Sequence, residues 1–177
     1  EQLMSRLSMV FQDVYLFDDS LIANIRVGRP DASDEEIFRA ANLSGVTSIA
    51  NRLGWHTPVG EGGRLLSGGE RQRVSVARAL LKQAPIVLFD EATSALDAEN
   101  EANILAAMDE LREQSTFIVI AHKLDTIKSA DQIVVLDEHG QVSQLGTHSE
   151  LSDVPGIYRH FWQQRKAARG WKISSGR

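Results

Sequence analysis

Cysteine is absent from this 177-residue chain, aromatic residues make up only 6% of it, and prolines number four. Without a thiol there is no disulfide scaffold, no zinc ribbon and no thiol nucleophile, and the composition fits a reducing compartment. Long apolar runs are missing too. Runs such as Ile86–Phe89 and Phe117–Ala121 fall far short of the roughly 18 residues that a membrane span needs. No internal repeat or low-complexity segment occurs. What is present is 42% hydrophobic and 24% charged residues, the profile of a folded domain rather than a disordered or collagen-like chain. The length is enough to bury a core.

The net charge of −5 is unevenly spread. Residues 1–154 hold all 24 acidic groups and 13 of the bases, leaving six bases and no acid in residues 155–177. An acidic body argues against a large nucleic-acid footprint, because phosphate contacts dominate such binding. The basic tail, with Trp162 and Trp171, suits either an anionic surface or a solvated terminal helix.

Hydrophobic periodicity predicts alternating strands and helices. Leu7–Phe11 reads as a strand and Ser20–Ile25 as a helical turn. Ser33, followed by Asp34, Glu35 and Glu36, caps a helix with acids in its first turn. A helix over about 46–53 follows, then a breaker-rich loop from Gly54 to Gly63. A long helix runs from Gly68 to Lys82 with Val74, Ala77, Ala79 (or Arg78), Leu80 and Leu81 as its buried stripe, and Pro85 stops it. Ile86–Phe89 and Thr116–Ala121 read as buried parallel strands around a helix over about 98–114, with a short helix over about 123–129 next. Gln132–Asp137 and Gln141–Leu145 flank Glu138-His139-Gly140, which suits an antiparallel hairpin at a sheet edge, and helices over about 147–151 and 156–168 close the chain. The fold expected is α/β with a mostly parallel sheet, interrupted by an all-helical insertion over about 14–84.

Two local patterns carry chemistry. Ile86-Val87-Leu88-Phe89-Asp90-Glu91 delivers two carboxylates at a strand end, where open α/β sheets bind ligands. Asp90 there can hold Mg²⁺ while Glu91 polarises an attacking water, although two solvated acids at a strand end remain the alternative. Leu66-Ser67-Gly68-Gly69-Glu70 places two glycines and a serine at a helix start. Backbone N–H groups can approach an anion there, Ser67 offers a hydroxyl, and the helix adds partial positive charge. A flexible turn with Ser67 as a plain N-cap is the alternative.

Together these segments resemble the nucleotide-binding domain of ATP-binding cassette (ABC) transporters over nearly the whole chain. Leu66–Glu70 with Arg71-Gln72-Arg73 resembles the signature loop and helix, and Ile86–Glu91 the Walker B strand, with Asp90 falling 23 residues after Ser67. Ser94-Ala95-Leu96-Asp97 resembles the D-loop at the dimer interface. Phe11-Gln12-Asp13 resembles the Q-loop, which implies that Gln12 reaches Mg²⁺ and the attacking water. Ile120-Ala121-His122-Lys123-Leu124 resembles the switch region, which implies a contact of His122 with the γ-phosphate. Val59-Gly60-Glu61-Gly62-Gly63 is similar to the loop that exporter-type cassettes set against coupling helices, and Asn24–Gly28 points the same way. Tyr15, Leu16 and Phe17 are expected to face a coupling helix.

The resemblance implies a P-loop NTPase-like ATPase domain over 1–154 and a basic helix and tail over 155–177. ATP and Mg²⁺ are the implied cofactors. Glu91 and His122 become the catalytic residues; Gln12, Ser67, Gly68, Gly69, Glu70, Asp90 and Asp97 the ATP-binding ones; and Gln12 and Asp90 the metal-holding ones. The implied partners are a second nucleotide-binding domain and transmembrane domains, at the cytoplasmic face of the cell membrane. A non-hydrolytic regulatory half-domain and a soluble ABC ATPase are the alternatives, and retention of Glu91 and His122 speaks against the first. The wording of Phe11–Asp19 also loosely resembles exporter-fold siderophore uptake systems.

One departure is large. No Gly-x-x-x-x-Gly-Lys-Ser/Thr occurs anywhere; Gly63–Gly68 has the glycine spacing but continues into Gly69 and Glu70, with no cation for the β- and γ-phosphates. Since the chain opens Glu1-Gln2-Leu3 without an initiator Met, the expectation is truncation just upstream of residue 1. His56, His139, His148 and His160 lack metal-ligand spacing.

Overall fold

The computed structural model describes residues 2–11, 13–90, 98–120 and 127–170. The chain forms two compact units, Glu1–Ile120 and Ala121–Arg177. In the first, a short helix α1 (Gln2–Ser5) leads into β1 (Leu7–Val10). Next come α2 (Leu21–Arg26), α3 (Asp34–Leu43), α4 (Val46–Leu53), a 3₁₀ turn at Glu61–Gly63 and the long α5 (Gly68–Lys82). The unit closes with β2 (Ile86–Asp90), α6 (Ala98–Gln114) and β3 (Thr116–Ile120). The three strands form one parallel sheet in the order β1-β2-β3, with Val10 opposite Phe89 and Asp90 opposite Ile120.

The helix boundaries follow from local chemistry. Ser33 and Glu36 close a reciprocal capping box at the start of α3, and Ser67 and Glu70 close a second at α5, each satisfying two backbone donors that the helix leaves unpaired. Helix α5 ends at Gln83, which turns into the left-handed region at φ 51, and Pro85 prevents its resumption. Lys82 then donates to the carbonyls of Met4 and Leu7, both at 2.8 Å, fixing the end of α5 to the entry of β1.

Helix α5 is the axis of the unit. It packs against β1, α2, α3, α4 and α6, so the buried stripe expected from periodicity widens: Gln72, Arg73, Ser75 and Val76 are buried as well as Val74, Ala77, Ala79, Leu80 and Leu81. A helix enclosed on every side has no solvent face to leave polar. Gly28 shows how tightly α2 meets it. A Cβ at Gly28 would lie 2.4 Å from the Arg78 carbonyl oxygen, a backbone atom that cannot swing away. Gly28→Ala should therefore cost about 1–3 kcal/mol, seen as a lower urea midpoint at unchanged m-value; an unaltered midpoint would mean that α2 and α5 can part freely.

The sheet corrects one expectation. Ile86–Phe89 and Thr116–Ala121 are apolar runs predicted to be buried throughout, but burial alternates. Ser8, Val10, Val87 and Phe89 are buried against the helices, and the Phe89 and Phe117 rings pack at 5.6 Å. On the opposite face Leu7, Met9, Ile86 and Leu88 are half-buried, while Ile118 and Ile120 are 49% and 59% exposed. Apolar letters on both faces of a strand hide the period of two that its packing obeys.

The second unit contains a hairpin of β4 (Ile133–Leu136) and β5 (Val142–Gly146), followed by α7 (His148–Asp153) and α8 (Ile157–Gly170). Among the described residues the hairpin is a two-stranded antiparallel sheet, as its turn sequence predicts. Asp137 accepts from the N–H groups of His139 and Gln141 at 2.9 and 2.8 Å and sets the turn. Ile133, Leu151 and Tyr158 form a small core with Trp162 against it, and the His148 Nδ1 lies 2.8 Å from the Tyr158 hydroxyl. Arg165 and Lys166 are exposed on α8. Of the helix expected over 123–129, only residues 127–129 are described.

Candidate nucleotide site

The start of α5 builds one half of the site. Ser67 has extended backbone angles, its Oγ accepts from the Glu70 N–H at 3.2 Å, and its own N–H donates to the Glu70 carboxylate at 2.8 Å. Ser67 is thus an N-cap, yet its side chain stays exposed. The N–H groups of Gly68 and Gly69 have no carbonyl four residues back within the helix, and they add to the positive end of its dipole. Nothing in the fold demands glycine at Gly68. Its φ is ordinary, and an added Cβ would meet only Arg71 Nη2, at 3.9 Å. A bare position that folding does not require is one that keeps room for something outside the chain.

Glu70 lies within the same turn without spoiling it. Its carboxylate pairs with Arg52 of α4 at 2.6 Å. Burial pushes its pKa up, but the Ser67 N–H and the Arg52 guanidinium outweigh that and hold it below the ordinary glutamate value. Stability from this group is therefore present above the ordinary carboxylate range and is lost as pH falls through its lowered value. The Arg52 pair, with the bonds of Arg73 to the Gly45 carbonyl and the Ser48 hydroxyl at 3.1 and 3.2 Å, ties this end of α5 to the inserted helices.

The sheet builds the other half. Because β1, β2 and β3 are adjacent, parallel and in register, their carboxyl ends lie side by side. β1 ends at Val10, two residues before Gln12. β2 ends at Asp90, immediately before Glu91, and β3 at Ile120, two residues before His122. Asp90 itself is half-buried at this edge. Gln12, Glu91, Asp97 and His122 lie outside the described residues; the strand ends that lead into three of them share one edge of one sheet, the edge at which such sheets bind ligands.

Tyr15, Leu16 and Phe17 divide. Leu16 is fully buried, whereas Tyr15 and Phe17 are 55% and 52% exposed, their rings in an edge contact at 5.7 Å. The Tyr15 hydroxyl donates to the Glu61 carboxylate, which raises the pKa of the phenol. The Glu61 loop and the aromatic pair thus form one surface. Beneath it lie Gln72, Asn24 and Arg78, which the sequence places in motifs or on the helix without giving them a role of their own. The available signal was a polar or charged side chain in an otherwise buried stretch of helix, as at Gln72 and Arg78.

The described residues contain no cluster of three His, Cys, Asp or Glu groups that could hold a metal alone. Mg²⁺ does not need one: it binds through one or two carboxylates together with phosphate oxygens and water, a donor set to which Asp90 is suited. The open glycine turn likewise fits a polyphosphate.

The profile of the family described as "ABC transporter" matches residues 1–94. The chain is 48% identical over 158 residues to the ATP-dependent lipid A-core flippase of Neisseria meningitidis serogroup A, covering 88% of this chain and 25% of the relative. It is 46% identical over 170 residues to the mycobactin import ATP-binding/permease protein IrtB of Mycolicibacterium thermoresistibile, covering 95% of this chain and 29% of that one. Its backbone also matches the solved structure of a bacterial Atm1-family ABC exporter with ATP bound, at a TM-score of 0.85 and 43% identity, over 98% of this chain and 30% of the other. The chain thus spans less than a third of the length of these relatives. With the Ser67-capped glycine turn, the aligned strand ends and these likenesses together, the chain belongs to the ABC transporter family.

Proposed function

We propose that this chain is part of the ATP-hydrolysing domain of an exporter-type ABC transporter, which powers transport by closing two such domains around ATP. The alignment of three parallel strand ends, leading into Gln12, Asp90 with Glu91, and His122, is the observation that carries it. Asp90 holds Mg²⁺, and Glu91 takes the proton of the attacking water. His122 and Gln12 orient the γ-phosphate and that water, and Asp97 sits at the dimer interface. Bound Mg²⁺ supplies charge neutralisation to the phosphates.

Ser67, Gly68 and Gly69 act on the partner's nucleotide, giving two composite sites per dimer. Support comes from the attachment of this turn to α4 within the insertion, whereas Asp90 belongs to the sheet. Nucleotide that binds both halves favours the closed dimer by its differential affinity. The Tyr15, Phe17 and Glu61 surface is where the membrane domains dock, at the cytoplasmic face of the membrane. Cargo is a separate matter, since relatives of nearly equal identity are named for lipid A-core, β-(1→2)glucan and mycobactin.

The 177 residues contain no Gly-x-x-x-x-Gly-Lys-Ser/Thr cradle, so the chain by itself should release no phosphate from ATP and bind it only at millimolar concentration or weaker. Calorimetry and a phosphate-release assay, run beside the full-length protein, test the proposal. Mg²⁺-dependent hydrolysis by the full-length protein is the expected contrast, and micromolar binding by the isolated 177 residues would contradict the assignment of the phosphate cradle to another segment.

A further inference from the structure

Arg78 lies on α5, three helical turns beyond Ser67, and its guanidinium faces no carboxylate among the described residues. Its three donors go to neutral oxygens: Nε to the Asn24 carbonyl at 2.7 Å, Nη2 to the Asn24 Oδ1 at 2.7 Å, and Nη1 to the Tyr15 carbonyl at 3.0 Å. The same guanidinium stands 5.9 Å from the centre of the Phe17 ring. Burial without an ion-pair partner lowers its pKa to about 10, which leaves the group charged at neutral pH but marks the arrangement as costly. A buried charge held by a fork of three neutral acceptors serves geometry more than attraction.

Asn24 completes the connection. Its side chain is fully buried; Oδ1 accepts from the Phe17 N–H at 2.9 Å, and Nδ2 donates to the carbonyls of Phe17, Asp19 and Ser20 at 3.0, 3.3 and 3.0 Å. Through Arg78 and Asn24 the segment from Tyr15 to Ser20 is therefore bonded to α5 rather than merely packed on it. Gln72, six residues nearer the glycine turn, donates from Nε2 to the Phe11 carbonyl at 3.3 Å and ties the beginning of the same stretch to the same helix. One rigid element thus carries the Ser67-Gly68-Gly69 turn at its start and the exposed Tyr15 and Phe17 pair along its flank.

The geometry points to Arg78 and Asn24 as positioning residues: they make the Tyr15–Ser20 segment move with α5, so that engagement of the glycine turn by nucleotide is transmitted to the exposed aromatic pair. This rests on the proposed ATP-driven dimerisation. A physical link between the two ends is what such coupling requires, and the bonds from α5 to this segment supply it.

The test is amide hydrogen exchange on the full-length transporter in lipid nanodiscs, with and without the non-hydrolysable analogue AMP-PNP and Mg²⁺, comparing peptides from 68–82 and 13–20. In the wild type both should gain protection with nucleotide. In Arg78→Lys, which keeps the charge but cannot form the fork, 68–82 should still respond, while 13–20 exchanges about tenfold faster and no longer responds. The KM for ATP should stay within about twofold while kcat falls about tenfold or more, the split expected of misplacement without lost binding.

Asn24→Ala, which leaves the arginine and its backbone bonds in place, should give the same loss of response in 13–20 and covers the case in which Arg78→Lys does not assemble. The double variant should be no worse than the more impaired single one. A nucleotide response of 13–20 that persists in either variant overturns the inference. Absence of any response in wild-type 68–82 would instead overturn the ATP reading beneath it.

Discussion

Glu91→Gln in the full-length transporter is expected to bind ATP with near wild-type affinity and to turn over about 10²–10⁴-fold more slowly, the loss that follows removal of a general base. The substitution keeps the size and hydrogen-bonding reach of the side chain and removes only its capacity to take a proton. Dimers closed around unhydrolysed ATP should accumulate, since hydrolysis is the step that reopens them. Steady-state phosphate release and size-exclusion of ATP-trapped protein measure the two halves of the claim. Hydrolysis at the wild-type rate would move the base to another residue. An equal loss of binding would mean that Glu91 holds nucleotide rather than activating water.

Gly68→Asp should separate folding from function. A Cβ added at Gly68 meets only Arg71 Nη2, at 3.9 Å, and an acid in the first turn of a helix is favoured by its dipole. The thermal midpoint should thus stay level or rise slightly. Toward a phosphate the same carboxylate is a like charge and blocks the approach of the backbone N–H groups. Repulsion of about 4 kcal/mol at a separation near 4 Å and an effective dielectric of about 20 amounts to roughly a 10³-fold loss, enough to abolish ATP-driven closure. Nucleotide binding to the single domain should survive, because the glycine turn serves the partner's site. Loss of that binding would place Ser67, Gly68 and Gly69 on the chain's own nucleotide.

Much of this arrangement is legible in the sequence because local chemistry decides it. α5 begins where Ser67 and Glu70 can cap it and ends before Pro85; α3 begins at Ser33 for the same reason. The spacing from Ser67 to Asp90 places the glycine turn and the acidic strand end at the two termini of one helix–strand unit. The open face of β3 is not legible, since Phe117-Ile118-Val119-Ile120 is apolar on both sides and only packing distinguishes Val119 from Ile120. The Arg78 bonds are hidden for a different reason. They join residues 54 and 63 positions apart, and one arginine among the three of α5 does not announce its acceptors. The split of Tyr15-Leu16-Phe17 into exposed, buried and exposed positions is a choice that three apolar or aromatic letters leave open.

The central claim is that each ATP is held between the sheet edge of one chain and the glycine turn of its partner. The most direct measurement is the ATPase rate of a mixed dimer of full-length chains, one carrying Gly68→Asp and the other a disabled phosphate loop. If the sites are composite, both lesions fall on the same nucleotide and the other site is intact. Hydrolysis should then return, with a closed dimer captured by cross-linking across the surviving site. If each chain instead uses its own glycine turn, both sites are damaged in the mixed dimer, and no activity and no ATP-dependent cross-link will appear.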